Sequence, residues 1–136
     1  MAGVGPLGCI PNQLASGAAP PGKCVSAVND MVLKFNSRLD KLADQLNSNH
    51  PDAKFVYGDT YAASMDMTAN GSTYGFKVVD EGCCGIGRNR GQVSCLPLLP
   101  PCTNRDEYVF WDAFHPTQAA NKILAAEAYK IILSKF

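Results

Sequence analysis

Hydrophobic and polar positions alternate along the chain with two different periods. From about Val25 to Asn49, Val28, Val32, Phe35, Leu39, Leu42 and Leu46 recur at spacings of three and four, with Lys34, Arg38, Lys41 and Asp44 between them. That spacing predicts a long amphipathic helix whose apolar stripe faces a core. The cluster Asn47-Ser48-Asn49-His50-Pro51 ends it, because the residue before a proline is pushed out of the helical region. Ala53-Lys54-Phe55-Val56-Tyr57 then reads as a short strand stopped by Gly58-Asp59. A loose helical turn or two follows through Tyr61 to Met67, and Asn70-Gly71 is a turn. Residues 75–107 read as loop. Tyr108-Val109-Phe110-Trp111 reads as a buried strand end, and residues 117–133 as a helix with Ala120, Ile123, Leu124, Ala128, Ile131 and Ile132 on its apolar side. Residues 2–8 resemble the glycine-rich exit of a strand. Helices alternating with short strands predict an α/β fold, a parallel sheet flanked by helices. The residue 25–49 and 117–133 helices are expected to pack on that sheet.

Length and charge narrow the picture. With 136 residues the chain is about one domain, able to bury roughly two thirds of its unfolded surface. Twelve basic and twelve acidic side chains cancel, so no electrostatic argument favours nucleic acid or an anionic membrane as a partner. No apolar run approaches the length that spans a bilayer, so no stable membrane insertion is expected. Met1-Ala2-Gly3-Val4-Gly5-Pro6 lacks a basic start and an apolar core, and does not read as a signal peptide.

Six cysteines pull the other way. Cys9, Cys24, Cys83, Cys84, Cys95 and Cys102 form an even set in Gly/Pro-rich segments, which suggests disulfides and an oxidising compartment. Cys9 and Cys24 flank one loop and are expected to pair, leaving the other four to link within residues 83–102. Zinc is the competing reading, but the vicinal Cys83-Cys84 pair and the later gaps match none of the usual ligand spacings. A secreted cysteine pattern without a secretion signal is reconciled most simply if the N-terminal part of a larger protein is missing.

Candidate chemistry centres on Trp111-Asp112-Ala113-Phe114-His115-Pro116-Thr117. An aspartate three residues before a histidine can turn back onto the ring and fix its tautomer, freeing the other ring nitrogen to accept a proton. Pro116 suits a first helical position, where no backbone donor is needed. Other polar residues carry plainer readings. His50 ends a helix, Arg88 and Arg90 belong to a solvated loop face, Trp111 to the core, and Asn121 bonds nearby backbone.

Several segments, taken together, resemble the plant-type GDSL esterase/lipases of the SGNH hydrolase superfamily: Gly5-Pro6-Leu7-Gly8-Cys9-Ile10-Pro11, Phe55-Val56-Tyr57-Gly58-Asp59-Thr60-Tyr61, Tyr74-Gly75-Phe76, Gly82-Cys83-Cys84-Gly85 and Phe110 to Asn121. They run in that family's order from end to end. The resemblance implies that residues 1–136 are the C-terminal part of a single GDSL esterase/lipase domain, a three-layer α/β/α flavodoxin-like fold with its N-terminal part missing. It implies a secreted ester hydrolase without cofactor or metal, acting on a small-molecule ester (lipid or other acyl esters) by a Ser-His-Asp mechanism. Asp112 and His115 carry over as orienter and general base. The family's serine lies in a Gly-Asp-Ser motif near its N-terminus, and two mimics here are set aside. Gly58-Asp59-Thr60 follows a strand that fits a later part of the family pattern. Asn29-Asp30 lacks the glycine of the oxyanion block and falls near a helix start, where such residues serve as near-caps. The chain alone is therefore expected to be inactive, and the alternative function is a non-enzymatic remnant or binding module derived from such a hydrolase.

Overall fold

The computed structural model describes residues 1–135. Its regular elements are α1 (Pro11–Ala15), α2 (Ser26–Asn49), α3 (Thr60–Ala69), β1 (Val78–Gly82), β2 (Tyr108–Phe110) and α4 (Gln118–Lys135), joined by several short 3-10 turns. β1 and β2 pair in parallel, with Val78 opposite Tyr108 and Gly82 opposite Phe110. The chain is thus α/β with a small parallel sheet, as the alternation of elements predicts.

Parallel neighbours need a long crossover, which is usually a helix. Here residues 83–107 make it without an α-helix, using only short 3-10 turns at Arg88–Arg90 and Arg105–Glu107. Two disulfides, Cys83–Cys102 and Cys84–Cys95, staple the connection instead, and Cys9–Cys24 closes the loop before α2. The pairing follows the expected grouping and leaves no thiol for zinc. Between Cys95 and Cys102 the chain is Leu96-Pro97-Leu98-Leu99-Pro100-Pro101, and Leu98 stands fully in solvent with φ 72°.

The core lies where α3, the sheet and α4 meet. Met67, Phe76, Val109, Phe110 and Ala120 form it, with Val79, Ile123 and Leu124 packed against them. Met67 is fully buried, so truncating it to alanine is expected to cost about 2–5 kcal/mol.

Four expectations change. First, β1 lies in the region expected to be loop. Second, Ala53–Tyr57 forms no strand: the one bridge nearby is parallel and joins Ala2 to Gly58, just beyond the segment, and residues 2–8 contribute only that bridge before turning at Leu7–Cys9. Third, α3 is a full helix, capped by Asp59 Oδ1, which accepts the Ala62 N–H at 3.0 Å. Fourth, α2 is rotated relative to its expected stripe. Its buried residues are Asn29, Val32, Asn36 and Ala43, whereas Phe35 and Leu42 are exposed.

Asparagine amides explain that rotation. Asn36 accepts the Val4 N–H and donates to the Val4 carbonyl, both at 2.8 Å. Asn47 does the same with Phe55, at 2.7 and 2.8 Å. Asn29 accepts the Gly8 N–H at 2.7 Å and donates to the Cys9 sulfur. A primary amide carries the donor and acceptor of a peptide group, so each can stand in for a neighbouring strand. α2 is therefore tied by these amides to the backbone at Val4 and Phe55 and to the Leu7–Cys9 turn on which it packs, rather than lying on the named sheet. Asn29 is no near-cap: Val25 is the N-cap, and no side chain bonds the helix start.

Candidate active site

β2 delivers the chain to the site and a tight return fixes it. After Phe110 the backbone loops through 111–115 and comes back antiparallel, with Phe110 bridging Pro116 and the Trp111 N–H donating to the His115 carbonyl at 2.7 Å. Thr117 locks the exit. Its N–H bonds the Val109 carbonyl, its hydroxyl bonds the Tyr108 carbonyl, and the same oxygen accepts the Ala120 N–H as the cap of α4. Pro116 therefore precedes the helix and does not occupy its first turn. The bridge to Phe110 and the hydroxyl cap at Thr117 hold residues 115 and 116 outside it.

The loop is braced on its other side by β1 and the cysteine pair. Cys83 and Cys84 donate their N–H groups to the Phe110 and Trp111 carbonyls, extending the parallel register past the ends of the strands. Gly82 is a close-approach position, because a Cβ there would lie 3.1 Å from the Asp112 carbonyl group. From the far side, the Asn12 N–H donates to the Ala113 carbonyl at 3.0 Å, and its side chain donates to the Gly91 carbonyl. Sequence reasoning missed Asn12 and Gly82. The glycine before the vicinal cysteines was the available signal for the second, and nothing local marked the first.

Within this frame Asp112 is buried and points back at its own loop. One carboxylate oxygen accepts the N–H groups of Phe114 (2.9 Å) and His115 (2.7 Å), and both oxygens are 3.0 Å from His115 Nδ1. An ionised carboxylate can only accept, so Nδ1 carries the proton in this contact, and in the neutral ring it is Nε2 that presents the lone pair. Burial pushes the Asp112 carboxyl upward, but the two backbone donors and the imidazole outweigh it and hold the group below the ordinary aspartate range. The His115 side chain is 73% exposed. Among the described residues no hydroxyl is hydrogen-bonded to Nε2.

The other sequence candidates stand apart. Asp59 caps α3, the Thr60 N–H bonds the Gly58 carbonyl, and no hydrogen bond joins this segment to residues 112–115 among the described residues. Arg90 is not simply solvated: its guanidinium donates to the Cys83 carbonyl at 3.0 Å, while Arg88 is exposed. Trp111 is half-buried, with the Arg105 guanidinium 5.3 Å from its ring centroid. His50 and Asn121 are exposed. Among the described residues no group of three or more His, Cys, Asp or Glu could hold a metal ion, and no helix is long and apolar enough to cross a membrane.

Comparison with known proteins gives a consistent result. Residues 1–128 match the model of the GDSL-like Lipase/Acylhydrolase family. Two GDSL esterase/lipases of Arabidopsis thaliana are each 60% identical to the chain, one over 132 residues (95% of this chain, 34% of the relative) and one over 127 (93% and 34%). A third from the same plant is 52% identical over 130 residues, 95% of this chain and 35% of the relative. The chain spans about a third of the length of these relatives.

Proposed function

The chain belongs to the GDSL-like lipase/acylhydrolase family, and on that footing we propose that it supplies the histidine–aspartate half of a secreted carboxylic ester hydrolase. His115 is the general base and acid, Asp112 its orienter, and the substrates are lipid or other small acyl esters. The whole domain is read as a three-layer flavodoxin-like α/β/α fold working without a cofactor. The observation that carries the reading is the clasp between Asp112 and His115 Nδ1, 3.0 Å to each oxygen, with the rest of the ring in solvent.

In this mechanism Nε2 takes the proton of a serine hydroxyl as the oxygen attacks the ester carbonyl, then returns it to the leaving alcohol. Asp112 keeps the Nδ1–H tautomer in place and stabilises the imidazolium. The low carboxyl pKa suits that role, since the group stays ionised when the ring charges. The serine and the remaining oxyanion donors are placed outside these 136 residues. This reading sets Gly58-Asp59-Thr60 aside as nucleophile; Asp59 there accepts the Ala62 N–H as the cap of α3.

The test compares two preparations on a short-chain aryl ester. The 136-residue chain should hydrolyse it barely above background, with His115→Ala changing little. A longer product of the same gene carrying a Gly-Asp-Ser motif should turn over, and His115→Ala should abolish that turnover. Robust turnover by the short chain, lost in His115→Ala, would place a nucleophile within it. No turnover by either preparation would favour the remnant or binding-module reading.

A further inference from the structure

α3 ends in a tripeptide that the catalytic reading leaves unused. Asn70-Gly71-Ser72 is an acceptor sequence for N-linked glycosylation, Asn-x-Ser with x other than proline. None of the other eight asparagines is followed two positions on by serine or threonine. A match this short arises by chance, so what matters next is whether the fold can carry a glycan there.

The fold presents these three residues alternately. Asn70, the C-cap of α3, and Ser72 are exposed, while Gly71 between them is buried. A Cβ at Gly71 would lie 2.5 Å from the Val79 side chain, so the middle position is closed to other residues without rearrangement. Asn70 Nδ2 donates one bond, to Asp66 Oδ1 at 2.6 Å on the helix surface. Glycosylation leaves that nitrogen one N–H, enough for a single donated bond. The Ser72 hydroxyl makes no hydrogen bond among the described residues, whereas Thr68 and Ser48 bond their own helix backbone. As a cap, Asn70 does not need a serine two residues on. As an acceptor it does, because the hydroxyl is what the transferring enzyme recognises. The three disulfides supply the second condition, since they form in the same oxidising lumen where glycans are attached.

We infer that Asn70 is an N-glycosylation site. The donor class is an oligosaccharide carried on a polyprenyl diphosphate. Asn70 Nδ2 bonds to the anomeric carbon of the first sugar, the bond from that carbon to the diphosphate oxygen breaks, and the nitrogen gives up one proton as the polyprenyl diphosphate leaves. The modified amide then projects from the end of α3 into solvent.

The experiment is translation of the full chain behind a secretion leader in the presence of endoplasmic-reticulum microsomes. Transfer occurs on the nascent polypeptide, so a variant that folds poorly still reports. The protease-protected chain should migrate as a heavier species that peptide N-glycosidase collapses, leaving aspartate at position 70. Asn70→Gln and Ser72→Ala should each abolish the shift, and Ser72→Thr should restore or raise it. A protected chain with no glycosidase-sensitive shift, or a shift that survives Asn70→Gln, would overturn the assignment.

Discussion

Two aspartates leave extended segments in the same way and come to different ends. At Gly58-Asp59 the carboxylate turns forward to the N–H three residues on, Ala62, and a helix starts at once. At Trp111-Asp112 the carboxylate also reaches the N–H three residues on, His115, and takes Phe114 as well. Asp59 is exposed and holds one bond; Asp112 is buried, holds a ring in addition, and lies beside two disulfides. A helix cap and a carboxylate clasp on a histidine ring are thus one local motif. The second arises when the return from 110 to 116 keeps the chain out of the helix long enough to place an imidazole against the carboxylate.

The comparison is broken most severely by removing its covalent brace. The double change Cys83→Ser with Cys102→Ser should cost about 3 kcal/mol in denaturant unfolding, the scale expected for loops of this length. Amide exchange should accelerate at Phe114 and His115 while Ala62 keeps its protection.

Removing the second aspartate comes next. Asp112→Ala strands two backbone donors and should cost about 1–3 kcal/mol. In a preparation that turns over ester, Asp112→Asn should lower the rate by up to about four orders of magnitude, the loss seen when a triad tautomer is mis-set.

Acid sharpens the contrast without mutation. The Asp112 carboxyl is held below its unfolded value, so its contribution is fully present above the unfolded pKa near 4 and disappears as pH falls through the depressed folded value. Stability measured from pH 5 downward should fall less steeply in Asp112→Asn than in the parent. Equal slopes would show that the carboxylate is not specially stabilised. The smallest effect belongs to Asp59→Ala, which should cost about 1 kcal/mol as an ordinary lost cap and leave hydrolysis unchanged.

The sequence made some of this legible for physical reasons. α2 and α4 were visible because long periodic segments average over local exceptions, and the Asp112–His115 contact because three residues suffice to build it. β1 was hidden. Val78 and Val79 are its only strong strand formers, Asp80, Glu81 and Gly82 follow, and its structure comes from pairing with residues 28 to 30 positions away. The facing side of α2 was misjudged for the opposite reason: hydrophobic periodicity cannot see buried asparagines, and Asn29 and Asn36 occupy that face. At Ala53–Tyr57 the strand-forming residues Phe55, Val56 and Tyr57 were present, but the Asn47 amide takes the backbone groups of Phe55 that a strand neighbour would otherwise use.

The two adjacent cysteines also make the chain tolerant of being cut. Their bridges are nested, Cys84–Cys95 within Cys83–Cys102, and the bare tip at Leu98 lies between the two distal partners. Exposed loop tips are where proteases nick first. A single cleavage at Leu98 leaves the smaller ring whole on the upstream fragment, while Cys83–Cys102 tethers the downstream one. The severed piece carrying Asp112 and His115 would travel with its parent on a non-reducing gel and separate only when thiol is added.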